Sequence, residues 1–125
     1  MGEGKRLAGM SVFLVEDEFL IMMQLEQMAR GLGCTIGKTA SHFDDALRAA
    51  ESAEVDAALL DVNLAGKKSY PVAEVLKKRG VPIVFSTGYG QQGLDDGWAG
   101  HPVVQKPFLA SDLEKALTRA REMKG

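Results

Sequence analysis

Four short apolar runs in this chain end in residues that can do chemistry. Val55-Asp56-Ala57-Ala58-Leu59-Leu60 runs into Asp61, and Leu14-Val15 runs into Glu16-Asp17. Ile83-Val84-Phe85 runs into Ser86-Thr87, and Val103-Val104-Gln105 into Lys106-Pro107. Taken alone, Asp61 is a polar cap on a strand. If the four runs are parallel strands of one sheet, their ends share an edge. Up to three carboxylates, a hydroxyl and an ammonium then meet around Asp61. Carboxylates that close repel unless a hard cation sits among them. Mg²⁺ suits such a set, because it takes one or two carboxylates together with waters and phosphate oxygens. Lys106 adds a flexible point cation suited to phosphate, and Thr87 adds a hydroxyl donor. A carboxylate nucleophile can accept a phosphoryl group as an acyl phosphate. Metal and lysine would neutralise the charge of that transfer, which depends mainly on positioning and electrostatics.

The elements that must position these residues can be read from apolar spacing and stop signals. Residues 1–10 are expected to be a short polar lead-in, and 11–15 a buried strand. A helix is predicted over 18–32, with Ile21, Leu25, Met28, Ala29 and Leu32 at helical spacing and Gly31 and Gly33 as its stop. Met22 and Met23 lie on it as packing and surface rather than as metal ligands. A weakly signalled strand at 35–39 precedes a helix over 41–52, with Ser41 as its expected N-cap and Asp44 and Asp45 in its first turn. The third strand is expected at 55–60, followed by a loop over 62–69 and a helix over 70–79 with Pro71 near its start. A fourth strand is predicted at 82–85, a fifth at 103–105, and a last helix to about 122 capped by Ser111.

Between the fourth and fifth strands stand Gly88, Gly90, Gly93, Gly97 and Gly100. Glycine costs about 1 kcal/mol relative to alanine in a helix interior. Only 91–96 could therefore make a helical turn or two, and a short or mobile element is expected, anchored by Trp98. The order is β-α five times. Short connections and strands rich in Val, Leu and Ile predict an α/β fold, a doubly wound five-stranded parallel sheet with helices on both faces. Ligands of such sheets sit outside the carboxyl ends of the strands, where all four reactive ends lie.

Bulk properties narrow the function. A chain of 125 residues suits one domain. The net charge of −2, without a basic run, gives no electrostatic support for nucleic-acid binding. No apolar stretch approaches the length of a membrane span. The single cysteine, Cys34, cannot form an internal disulfide, is expected to be a buried hydrophobe, and fits a cytoplasmic home. His42 and His101 lack companion ligands at metal spacing, and Lys77-Lys78-Arg79 suits a helix C-terminus. Lys67-Lys68 lies near the reactive edge.

Glu16-Asp17, Asp61, Thr87 and Lys106-Pro107-Phe108, in this order and at these strand ends, resemble the receiver domain of a two-component response regulator over nearly the whole chain, 9–123. The resemblance implies a flavodoxin-like strand order, 2-1-3-4-5, with Asp61 as phosphoacceptor. It implies Mg²⁺ held by Asp17, Asp61 and the backbone carbonyl of Asn63, with Glu16 acting through water. Thr87 would swing towards the phosphoryl group, Lys106 would pair with it, and Pro107 would follow a cis peptide bond. Many receivers carry Tyr or Phe at the fifth-strand position held here by Val103. Phe85-Ser86-Thr87-Gly88-Tyr89 instead resembles a Phe-Ala-Thr-Gly motif followed by a Tyr, found in single-domain receivers, which makes Tyr89 the candidate switch aromatic.

The function implied is a phospho-switch, not a metabolic enzyme. A histidine kinase or histidine phosphotransfer protein would phosphorylate Asp61. With no output domain expected, the signal would leave by contact with a downstream protein. A pseudo-receiver interaction module is the alternative, but it predicts gaps in the acid, Thr and Lys set, and none is missing. A dinucleotide-binding or P-loop enzyme lacks its glycine motif after the first strand. A phosphatase of the haloacid-dehalogenase type would need a second acid where Asp61-Val62-Asn63 has Asn63.

Overall fold

A computed structural model describes residues 7–88 and 93–123. The element order is β1 (Ser11–Val15), α1 (Phe19–Gly31), β2 (Thr35–Ala40), α2 (Phe43–Ala50), β3 (Ala57–Asp61), β4 (Asn63–Leu64), β5 (Lys67–Lys68), α3 (Tyr70–Lys78), β6 (Ile83–Thr87), β7 (Val103–Gln105) and α4 (Ala110–Met123). β1, β2, β3, β6 and β7 form one parallel sheet in the order β2-β1-β3-β6-β7, the doubly wound arrangement expected. Every residue of the central strands β3 and β6 is buried. Such continuous apolar runs form strands because both sheet faces are covered.

Two cores result. Val12, Leu14, Leu59 and Val84 point to one face and pack against Leu25 and Ala29 of α1 and Leu113 and Leu117 of α4. Phe13, Val15, Leu60 and Phe85 point to the other and pack against Ala46 of α2 and Val72 and Leu76 of α3. The alternation follows from the two-residue period of a strand.

Phe85, like Phe13, is a phenylalanine of the second core with no exposed surface. It meets Tyr70 and Trp98 edge-on, at ring-centroid distances of 5.8 and 5.6 Å. Phe85→Ala is expected to lower unfolding free energy by about 3–5 kcal/mol through lost transfer energy and a residual cavity. Urea denaturation measures it, and a loss below about 1 kcal/mol would mean that this core collapses freely around the gap.

Several local expectations need correction. The lead-in is not wholly polar surface: Leu7 and Met10 are buried in the first core. α2 begins after His42, not Ser41, and no side chain caps it. Asp44 and Asp45 in its first turn supply the negative charge that end favours. Ser111 lies inside α4, and Asp112 Oδ2 reaches back to accept the Leu109 backbone N–H at 2.9 Å.

The loop expected at 62–69 contains the antiparallel pair β4–β5. Its turn has Ala65 at φ 50° and Gly66 at φ 91°, both left-handed, as a tight two-residue hairpin requires. Two-residue strands are too short to display a period. The helical turn expected at 91–96 falls partly outside the described residues. Among those described, the segment before β7 holds a 3₁₀ turn at Asp96–Trp98, and the α-helices number four rather than five. Trp98 is buried there, as expected of an anchor.

Cys34 is buried, and burial pushes its thiol up to about 11, with Arg121 opposing. At mildly alkaline pH the folded protein should react with Ellman's reagent far more slowly than the urea-unfolded chain, because the thiolate is the nucleophile. Equal rates would contradict this burial.

Candidate functional site

Strand register assembles the site. Val15 pairs with Leu60, so the next residues, Glu16 and Asp61, stand side by side. Asp61 pairs with Ser86, one residue before Thr87, and Thr87 pairs with Gln105, one residue before Lys106. The four reactive ends therefore share the carboxyl edge of the sheet.

Glu16, Asp17 and Asp61 each bring a carboxylate oxygen within 4.8 Å of the others. Glu16 and Asp61 are buried, and Asp17 is half-buried. Lys106 Nζ lies 2.9 Å from Asp61 Oδ2 and 3.0 Å from Glu16 Oε1. The backbone fixes the remaining oxygens. The Asn63 N–H donates to Asp61 Oδ1 at 3.2 Å, the Glu18 N–H to Glu16 Oε2 at 3.1 Å, and the Ala65 N–H to Asp17 Oδ2 at 3.1 Å. The last bond ties the β4–β5 hairpin to the acid pair. The turn is itself braced by the Gly66 N–H donating to Asn63 Oδ1 at 2.9 Å.

Burial raises the Glu16 carboxyl to about 7, and the charge of Asp61 pushes the same way. Its hydrogen bonds with Lys106 and Glu18 pull in the opposite direction without prevailing. For Lys106, burial disfavours the charged form, but Asp61 and Glu16 outweigh it and hold the ammonium above its usual pKa. One lysine thus does not fully relieve the acids. A divalent cation would supply what is missing, and the all-oxygen donor set fits a hard one.

Asp17, Asp61, Asn63, Thr87 and Lys106 line one open cleft of about 320 Å³. Thr87 is buried at its floor, and the Lys106–Pro107 peptide bond is cis, as the resemblance implies. Val103 stands half-buried in β7. Tyr89, the expected switch aromatic, lies outside the described residues. Lys68, expected near this edge, lines the cleft; sequence reasoning left out two neighbours of the site, Gly93, which also lines it, and Tyr70, which hydrogen-bonds across to Gly93 and Asp95. The hairpin that brings Lys68 there had no visible period, and Tyr70 is distant in sequence from the residues it touches.

No described helix is long and apolar enough to cross a membrane.

Solved structures similar to this one are numerous. The family model for the response regulator receiver domain matches residues 12–118. The transcriptional regulatory protein PdtaR of Mycobacterium tuberculosis is 35% identical over 122 residues, covering 90% of this chain. The chain spans 58% of the length of that relative. The solution structure of SdrG from Sphingomonas melonis Fr1 superposes with a TM-score of 0.80 at 42% identity, covering 90% of this chain and 96% of that one. SdrG has also been solved in a BeF₃-activated conformation, with a TM-score of 0.77. The receiver domain of the sensor histidine kinase PA1611 from Pseudomonas aeruginosa PAO1, with a magnesium ion coordinated in its active-site cleft, gives 0.78 at 30% identity, covering 92% of this chain and 99% of that one. With its three acids, threonine and lysine gathered at one sheet edge and the family model matched over 12–118, this chain belongs to the response regulator receiver domains.

Proposed function

We propose that the chain is a phosphoacceptor switch. Asp61 receives a phosphoryl group from a histidine kinase or histidine phosphotransfer protein, and the modified protein signals by binding a downstream protein. The observation that carries this reading is the single cluster of Glu16, Asp17 and Asp61 with Lys106 Nζ at 2.9 Å from Asp61. An Asp61 oxygen attacks phosphorus, the bond from phosphorus to the donor's imidazole nitrogen breaks, and that nitrogen keeps the electron pair. The product is an acyl phosphate.

Mg²⁺, the cation the acids fit, would neutralise phosphoryl oxygens and orient the donor. Asp17, Asp61 and the backbone carbonyl of Asn63 would hold it, with Glu16 acting through water. Lys106 pairs with the transferred group by point charge, and Thr87 donates its hydroxyl to it. Tyr89 follows Thr87 as the switch aromatic in place of Val103, and Pro107 shapes the turn that presents Lys106. The chain catalyses only its own phosphorylation and dephosphorylation. The receiver unit spans 9–123, acts in the cytoplasm, and signals through protein partners rather than nucleic acid or membrane. BeF₃ activation of the relative SdrG supports the reading, since beryllofluoride mimics a phosphoryl group on a carboxylate.

Incubation with acetyl phosphate and Mg²⁺, then intact-mass measurement and borohydride trapping, tests it. A phosphoryl adduct that maps to Asp61 supports the switch. No adduct from a small-molecule donor or from a panel of phosphorylated histidine phosphotransfer proteins would leave only an interaction module.

A further inference from the structure

Tyr70 is the first residue of α3 and has no part in the acid cluster. Its ring stacks on Trp98, with centroids 5.9 Å apart and planes 10° apart, and meets Phe85 edge-on at 5.8 Å. Phe85 and Thr87 are two residues apart on β6, so their side chains face the same side of the sheet. The Tyr70 hydroxyl accepts the Asp95 N–H at 2.9 Å and donates to the Gly93 carbonyl at 3.4 Å. One hydroxyl therefore brackets Leu94 and holds both flanking peptides.

Gly93 rests directly on Thr87. A Cβ added to Gly93 would lie 2.5 Å from Thr87 Oγ1 and 3.3 Å from its Cβ and Cγ2. Only a residue without a side chain lets the backbone approach this closely. Movement of Thr87 towards Asp61 strips its methyl and hydroxyl from this surface, so whatever pins Gly93 bears on where Thr87 stands.

We infer that Tyr70 is a positioning residue for Thr87, acting through the backbone of 93–95 and reporting the position of that segment to Trp98 through the ring stack. This rests on the phosphoacceptor reading and deepens it. In the geometry described, the two hydrogen bonds favour Thr87 packed against Gly93, and they oppose its transfer to a phosphoryl oxygen. Loosening them shifts the balance towards the phosphoryl-bound arrangement.

Tyr70→Phe keeps the ring and its aromatic contacts and deletes the hydroxyl. Asp95→Pro removes the same hydrogen bond from the other side. Asp95 has φ −68° and ψ 157°, a conformation proline adopts. Titrations with Mg²⁺ alone, and with beryllofluoride at saturating Mg²⁺, are followed by ¹⁹F NMR and by emission of Trp98, the sole tryptophan. Each variant should bind beryllofluoride about three- to tenfold more tightly, the value of a hydrogen bond or two, with unchanged Mg²⁺ affinity. The emission change on adding beryllofluoride should shrink, and the double variant should gain little beyond either single one. A merely structural role would move Mg²⁺ and beryllofluoride affinity together, and that result overturns the inference. So does unchanged or weakened beryllofluoride binding in the variants while the parent protein binds it. Failure of the parent to bind beryllofluoride at all overturns the phosphoacceptor reading, and this one with it.

Discussion

Asp61→Asn is expected to abolish phosphoryl uptake from acetyl phosphate under conditions that modify the parent protein. The amide is isosteric but offers no carboxylate nucleophile. It also removes the anionic partner of Lys106 at 2.9 Å and one of the three clustered acids. Mg²⁺ affinity should therefore fall as well, by about tenfold for the loss of one charged ligand. The variant should remain folded, because Asn63 N–H can still donate to the side-chain oxygen that replaces Oδ1. Intact-mass spectrometry checks the first effect, and Mg²⁺ titration checks the second. An adduct that persists in Asp61→Asn places the chemistry on another residue.

Lys106→Met is expected to change stability in a way that depends on pH and metal. The side chain is 23% exposed and faces two buried carboxylates, so its loss should cost about 1–3 kcal/mol near neutral pH, less than a fully buried pair because solvent screens part of it. The pH dependence has a definite sign. The Glu16 carboxyl is raised from 4.5 to about 7 by burial and by Asp61. Between those values the folded protein keeps a proton that the unfolded chain has released, so stability falls as pH rises through that window. Lys106 pulls the Glu16 carboxyl down. Without it the window extends upward, and the deficit of the variant should be larger at about pH 8.5 than at about pH 5.5. Added Mg²⁺ should narrow the deficit at the higher pH by replacing the lost positive charge. Urea denaturation at both values, with and without MgCl₂, makes the comparison. A deficit independent of pH and indifferent to Mg²⁺ would mean that Lys106 contributes packing alone.

The features legible in the sequence were those encoded by local composition. Short apolar runs such as Ala57-Ala58-Leu59-Leu60 and Ile83-Val84-Phe85, bounded by polar or turn residues, read as strands buried on both faces, and helical spacing marked α1 and α4. Given parallel strands, the reactive residues at the run ends had to converge, so Glu16, Asp17, Asp61, Thr87 and Lys106 could be named before any coordinates. Helix starts were less legible. Ser41 and Ser111 are good caps by type, but the chain uses His42 without a cap, and starts α4 at Ala110 with Asp112 reaching back. Several polar residues near a helix start can satisfy the same end, and the choice among them depends on where the preceding strand releases the chain.

Tertiary structure alone decided the surroundings of Asp61. The sequence placed a reactive acid after a buried strand, and that much follows from burial and period. It could not show that the Ala65 N–H of a two-residue hairpin would lock Asp17, since short-range pairing leaves no periodic trace. Nor could it show that burial would raise Glu16 to about 7, because desolvation depends on how the fold packs the chain around it. The meeting of Tyr70, Gly93 and Thr87 was equally hidden. It needs α3, β6 and the turn before β7 to pack together, and a hydrogen bond spanning 25 residues is set by the fold rather than by any local preference.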